Sequence, residues 1–327
     1  MEIITWFGTI VTDKDGKISI KECRLCSKNP DLIARHIIDS RPSKARSLQL
    51  DLRSTALECG FVDSEEEYET LLRQAAIKTS KIQISNATTN DIRIIQAVEA
   101  LDDIDETTNL LSERLSEWYG MFFPELNLTS EDLAQFVAKH GSKSNITQDN
   151  EWYSIANDSM GAELSGSEEK IIKDFAINLC SFYKNRKEIE DYIVENVEHA
   201  APNLTNIAGA LLGSRLISMT GSLERLASLP SSTIQVIGAN NALFKHLRSR
   251  ATSPKHGVIF NHPLIKNAPW WQRGKIARAF ASKISLAARI DYYSGEVNDK
   301  LSINLDEKIN NIKNTYPYPP GKNKSKK

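Results

Sequence analysis

Between Asn203 and Ser294 the chain places twelve lysines and arginines against two acids, Glu224 and Asp291, a net +10 in a protein whose total charge is −1. Cations gathered in this way bind polyanions, and nucleic acid is the polyanion such a module fits best. Lys245, Arg248, Arg250, Lys255, Arg273, Lys275 and Arg278 are the candidate phosphate contacts. Gln235 and the Gly238-Ala239-Asn240-Asn241 turn supply polar groups where a helix starts, with free amides to offer a ligand. Phe244 lies among them at a spacing that also allows a core aromatic, and Lys255-His256 occupies a loop after Pro254. Any one of these cations could sit on a solvated helix face; the cluster as a whole is not explained that way.

Other chemistries find less support. His246, His256 and His262 do not share the spacing of metal ligands on one helix face. The four cysteines are Cys23, Cys26, Cys59 and Cys180; Cys23 and Cys26 form a lone C-x-x-C with no second pair, so these two are expected to be reduced thiols near a strand end. No phosphate-binding loop, dinucleotide fingerprint or catalytic-triad signature occurs. The expectation is a binding protein with no cofactor, no metal and no catalytic residue. The first residues show no signal peptide, and no apolar run is long enough to span a membrane, which predicts a cytoplasmic chain.

The elements that must position the cations can be read in order. A chain of 327 residues has room for two or three domains. Residues 201–327 carry +13 and the preceding 200 carry −14. Residues 1–85 predict a small α/β domain. Ile3 to Phe7 and Ile18-Ser19-Ile20 form a hairpin around Asp13-Lys14-Asp15-Gly16, followed by a helix through Leu32, Ile33, His36 and Ile37. A second helix over 65–78 is opened by a Ser64/Glu67 capping box. Residues 86–200 predict two long rods. Ile94, Val98, Leu101, Ile104, Thr108, Leu111, Leu115 and Trp118 recur at steps of three or four, as do Ile172, Phe175, Leu179, Phe182, Arg186, Ile189, Ile193 and Val197. Each rod is about 40 Å or more in length, and Phe122-Phe123-Pro124 ends the first. A small helical insert over 127–150 and a turn over 159–165, freed by Gly161 and Gly166, join them.

Residues 201–294 predict an all-α domain. Gly209, Gly213 and Gly221 lie within helical pattern and imply close packing. From Gly274 to Asp291 an amphipathic helix buries Ile276, Ala279, Phe280, Ile284, Ala287 and Ile290, with Lys275, Arg278, Lys283 and Arg289 elsewhere. A C-terminal helix and a basic tail, disordered from Tyr316, complete residues 295–327. The fold class is therefore mainly α: a small N-terminal α/β domain, a long antiparallel coiled-coil hairpin and an all-α C-terminal domain.

Residues 201–291, with the strings APNLT, SLERLASLPSSTIQVIGA, ALFK, SPKHG and GKIARAFASKISLAARID, resemble the Nop domain of box C/D ribonucleoprotein scaffold proteins. SERLSEWYGMFFPEL and SMGAELS resemble that family's coiled-coil region, so the likeness covers nearly the whole chain. The resemblance implies an N-terminal domain that docks fibrillarin and a coiled coil that pairs two scaffold copies. It also implies a Nop domain that clamps the kink-turn of a guide RNA together with a small ribosomal-type kink-turn protein. Such particles direct 2′-O-methylation of ribosomal or transfer RNA, and the scaffold does no chemistry; fibrillarin transfers the methyl group from S-adenosylmethionine. On this likeness the ALFK patch, with Phe244, meets the guide RNA, and Lys255-His256 meets the kink-turn near its flipped base.

Two departures stand out. Eukaryotic nucleolar members end in long Lys/Glu-rich repeats, whereas this chain ends in a brief lysine tail and is similar to the single archaeal version. Lys245 stands where arginine is more usual, keeping charge but losing bidentate geometry. The spliceosomal Nop-domain protein is longer and lacks a comparable docking module. A free-standing RNA-modifying enzyme and a protein-only coiled-coil adaptor are the readings from other classes.

Overall fold

The computed structural model describes residues 2–12, 20–40, 51–249 and 252–320. The chain divides into two compact units, Met1–Thr89 and Asn90–Lys327.

In the first unit, β1 (Glu2–Thr5), β2 (Gly8–Thr12) and β3 (Ile20–Leu25) form an antiparallel sheet in that order, with Ile3 opposite Ile10 and Ile10 opposite Cys23. The predicted strand Ile3 to Phe7 stops two residues early. Gly8 must lie against β3, where a Cβ would stand 2.3 Å from the Arg24 carbonyl oxygen. Trp6-Phe7 therefore becomes a tight turn whose rings pack with Phe61. The strand paired with both neighbours is β2, which the sequence pattern does not predict; the 13–16 turn, Ile18 and Ser19 lie outside the described residues. Helices α1 (Pro30–Ser40), α2 (Leu52–Glu58) and α3 (Glu65–Ala87) complete the core. Ser64 caps α3 by accepting the Glu67 amide at 3.2 Å, while the Glu67 carboxylate accepts from Asp63 N, one residue before the expected partner. The cysteine expectation is corrected: Cys23 and Cys59 form a disulfide, because the α2 C-cap brings Cys59 beside β3 with the Cα atoms 6.1 Å apart. Cys26 and Cys180 are free.

The second unit begins with the two rods, α4 (Asn90–Tyr119) and α7 (Gly166–Ala200). They run antiparallel: Ile94 and Val98 pack with Ile193 and Val197 at one end, Leu115 and Tyr119 with Ile172 and Leu179 at the other. The seam slips along α4. Ser112 and Tyr119 are buried where Leu111 and Trp118 were expected, as a straight helix drifting about 20° per heptad requires. Arg186, the polar interruption, pairs with Asp105 across the seam and with Glu190 on its own helix. Ser165 and Glu168 form a capping box at the start of α7.

The insert contains α5 (Ser130–His140), a 3-10 turn (Lys143–Asn145) and α6 (Tyr153–Asn157). Glycine acts here differently from the expectation. A Cβ at Gly161 would fall 2.2 Å from the Phe122 carbonyl oxygen, so close approach demands it; Gly166 is simply the first residue of α7. The Glu125 carboxylate accepts from Ser159 Oγ at 2.7 Å and Met160 N at 3.0 Å, which locks the FFPEL and SMGAELS strings together.

The C-terminal bundle comprises α8 (Pro202–Ala208), α9 (Ala210–Thr220), α10 (Leu223–Ser228), α11 (Ser231–Val236), α12 (Asn240–Ser249), α13 (Pro263–Lys266), α14 (Trp270–Tyr293) and α15 (Lys300–Thr315). α14 is its axis, burying Ile276, Ala277, Phe280, Ala281, Ile284, Ala287 and Ala288. It starts four residues before the expected Gly274 and is enclosed on more than one side, since Leu301, Leu305 and Ile309 of α15 enter the same core. That corrects one of its cations and ties down another. Lys283 is only 6% exposed, and burial, with Lys308 nearby, lowers its pKa. Arg289 donates from Nε to the Ala227 carbonyl at 2.9 Å.

Of the three glycines, only Gly213 lies inside a helix, with Leu204 where a Cβ would crowd it. Gly209 and Gly221 have positive φ and punctuate α8 and α9. The predicted disorder from Tyr316 is also corrected, because the Tyr316 carbonyl accepts Trp271 Nε1 at 3.0 Å and Gln272 Nε2 at 2.7 Å. The lysines from 322 onward lie outside the described residues. No described helix is long and apolar enough to cross a membrane.

Candidate nucleic-acid interface

The interface is built on a backbone crossing. After α12 the chain returns beside the end of α11, where Gly257 N donates to Gln235 O at 2.8 Å and Val258 N to Ile237 O at 2.7 Å. Gln235 fixes the loop further by donating Nε2 to the Lys255 carbonyl at 2.6 Å. The two backbones approach so closely that a Cβ at Gly257 would lie 1.8 Å from Ile237 O. Gly257→Ala is therefore expected to destabilise the unit by about 1–3 kcal/mol through overpacking, read as a lower denaturant midpoint.

The crossing delivers Lys255 to the first turns of α14. Its stem lies over Gly274, with Cδ 3.5 Å from the position a Cβ there would take. Lys275 and Arg278 project one turn apart from the exposed side of the same helix. With Gln235, Ser253, Pro254, Trp270, Trp271 and Gly274 they line an open cavity of about 360 Å³. Four predicted residues, Gln235, Lys255, Lys275 and Arg278, thus come together.

Others are placed differently. Arg273 donates from Nε to Ala268 O at 2.8 Å and from Nη2 to Lys266 O at 3.1 Å, so its guanidinium holds the 266–268 turn and stands over Phe260. His256 lies flat against the other aromatic of that stack, 4.5 Å from the Phe260 ring centre. Burial, then the charges of Arg273 and Lys255, lowers its pKa, so it is a neutral ring at pH 7 and supplies no positive charge. Arg250 lies outside the described residues.

α12 forms the second part. Gly238, with φ of 82°, turns the chain into it, and Ala239 and Asn240 stand at its start. No side chain of α12 is buried. Phe244 is 60% exposed and Leu247 71%, so Phe244 is not a core aromatic. Lys245 and Arg248 flank them, giving one short helix both apolar and cationic surface.

Among the described residues, the close ion pairs of this unit lie on the arm and its insert, apart from Arg215, which pairs with Asp102. Among the described residues, Lys245, Arg248, Lys255, Lys275 and Arg278 have no carboxylate partner. The structure so divides the basic segment into cations that hold the bundle and cations left facing solvent. Trp270 and Trp271 escape the sequence pattern because its amphipathic part starts only at Gly274; two adjacent tryptophans before a basic helix were the available signal.

One pH dependence follows from His262, the N-cap of α13. His262 Nδ1 accepts the Leu264 amide at 3.3 Å, and burial lowers the pKa of the ring. The unfolded chain then binds the proton first as pH falls. The stabilisation is fully present above about pH 6.5, the unfolded value, and is lost as pH drops through the lower folded value. The melting temperature is expected to fall between pH 7.5 and 5.5, and less steeply in His262→Gln.

Comparison with known proteins bears on the same region. A family model described as "Nop: snoRNA binding domain, fibrillarin" matches residues 100–312. An uncharacterized NOP5 family protein of Methanocaldococcus jannaschii is 41% identical over 287 residues, covering 83% of this chain and 69% of that protein. Nucleolar protein 58 of Lodderomyces elongisporus is 35% identical over 232 residues, covering 67% of this chain and 45% of that protein. The chain therefore spans about two thirds of its archaeal relative and less than half of this fungal one. A crystal structure of a fibrillarin/Nop5p complex covers 95% of this chain at 25% identity, with a TM-score of 0.47, a likeness too loose to argue from. Residues 100–312 take in most of the arm and the basic bundle up to the last turn of α15, so the family match falls on the cavity and α12 themselves, and the chain belongs to the Nop family.

Proposed function

We propose that this chain is the non-catalytic scaffold of a box C/D guide ribonucleoprotein. Its basic bundle clamps a guide RNA together with a small kink-turn-binding protein. Its N-terminal unit docks the fibrillarin methyltransferase, which carries out 2′-O-methylation of ribosomal or transfer RNA. The arm pairs two copies of the scaffold, and the particle works in the cytoplasm.

The observation that carries this reading is the composition of α12, taken together with the cavity cations. Lys245 and Arg248 suit phosphates, while Phe244 and Leu247 expose apolar surface that phosphates cannot satisfy. A partner surface made of RNA and protein together matches both. Cations alone give weak, salt-sensitive binding; the apolar contribution becomes available only when the second protein is present.

Gel shifts test this. The full chain is expected to bind bare guide RNA weakly and the RNA–kink-turn-protein complex strongly. Equal affinity for the two would overturn the joint clamp. Light scattering of the purified chain reads the pairing.

A further inference from the structure

We propose that the cavity at the start of α14 receives an unpaired nucleotide, its base stacked on the Trp270 ring and its phosphates held by Lys255, Lys275 and Arg278. The proposal rests on the RNA-binding reading above and gives it a specific ligand chemistry.

The two tryptophans and the cations around them carry it. Trp270 is 58% exposed although an indole is the largest apolar side chain a protein can withhold from its core. Its neighbour Trp271 meets it at 88° with ring centres 5.9 Å apart, so the pair is braced edge to face and not stacked in parallel. Trp271 is itself tied to the Tyr316 carbonyl, which makes the brace rigid. A flat, supported ring open to solvent is what a single-strand binding surface presents to a base.

The cations around it are also held. Lys275 Nζ sits 4.1 Å from the centre of the Tyr316 ring, and the Lys255 stem rests on Gly274. Less side-chain freedom is lost when such groups meet a phosphate than when free lysines do. The cavity volume of about 360 Å³ is at the small end for ligand sites, suited to one nucleotide and not to a helix. A base inside a duplex shows no open face, so the ring selects a nucleotide outside the stack.

The same lining could also receive an acidic segment of a protein. The interleaving of an open indole with three cations that lack carboxylate partners favours a nucleotide, which brings a base face and phosphates together.

The test uses the full chain with the kink-turn protein and a guide RNA carrying 2-aminopurine at successive unpaired positions. Binding is expected to quench one position in the unsubstituted protein and in Trp270→Phe. Trp270→Ala is expected to lose that quenching and bind roughly tenfold more weakly, with the salt dependence of binding unchanged because every cation remains in place. Unaltered melting temperatures check that the variants are folded. If Trp270→Ala changes nothing while Lys275→Ala with Arg278→Ala weakens binding, the stacking proposal fails and the RNA reading stands. If neither substitution has an effect, both fail. Weaker binding of Trp270→Ala to the kink-turn protein without RNA would assign the cavity to protein and overturn the proposal.

Discussion

Asp291→Ala is expected to lower the stability of the second unit by about 3–5 kcal/mol, because it leaves several buried donors without an acceptor at once. The carboxylate at the end of α14 accepts Asn203 N at 3.0 Å, Asn203 Nδ2 at 2.6 Å and Leu204 N at 2.8 Å. Asn203 and Leu204 lie in the first turn of α8, whose N-cap is Ala201, a residue with no side-chain oxygen to offer. Asp291 thus caps a helix whose Asn203 lies 88 residues earlier in the chain, and its charge suits the helix N-terminus. Asn203 extends the network, donating Nδ2 to Glu296 O and accepting Asn298 N at 2.7 Å, so the entry to α15 depends on it too.

An unmade buried hydrogen bond costs about 1–3 kcal/mol, and bonds to a charged group lie toward the upper end. Water entering the vacated space recovers part of the sum. A domain's whole stability is about 5–15 kcal/mol, so the loss is a large share of it. At about 2–4 °C per kcal/mol the melting temperature should drop by roughly 10 °C. Asp291→Asn keeps one acceptor oxygen and should cost about half as much. A shift below about 1 kcal/mol for the alanine variant would show that water replaces the carboxylate without loss.

Lys275→Ala with Arg278→Ala is expected to weaken the assembled complex roughly 30-fold at low salt, with the deficit shrinking as salt rises. Removing one cation from a phosphate should flatten the slope of log affinity against log salt by about 0.7–0.9, so the double variant should be shallower by about 1.4–1.8. Lys266→Ala is the matched control, since its side chain lies outside the cavity and the slope should not change. Fold and stability should be untouched, because neither Lys275 nor Arg278 is buried. A protein-only adaptor would show the same slope before and after the double substitution.

Long-range organisation was legible where local pattern repeats. The 3–4 spacing over about 30 residues located α4 and α7 in the chain, and Ser64 was readable as an N-cap from its own surroundings. The basic segment was legible as composition. Which of its cations face solvent was not. Lys283 falls off the apolar stripe of α14, yet α15 covers that side; Arg273 and Arg289 satisfy backbone carbonyls in other turns. Those partners depend on tertiary approach and leave no periodic trace. The disulfide joins cysteines 36 residues apart, and the familiar Cys23/Cys26 spacing pointed away from it. β2 was missed although Thr9 to Thr12 is β-branched throughout; Gly8 weakens the pattern at its start, even though close approach to β3 requires that glycine.

As proposed, this chain couples a guide RNA to a methyltransferase and does no chemistry itself. Reconstitution with guide RNA, the kink-turn protein, fibrillarin and S-adenosylmethionine, scored by 2′-O-methylation at the guided nucleotide, tests it most directly. Methylation is expected only when this chain and fibrillarin are both present. Full methylation without this chain, or methylation by this chain without fibrillarin, would contradict the account.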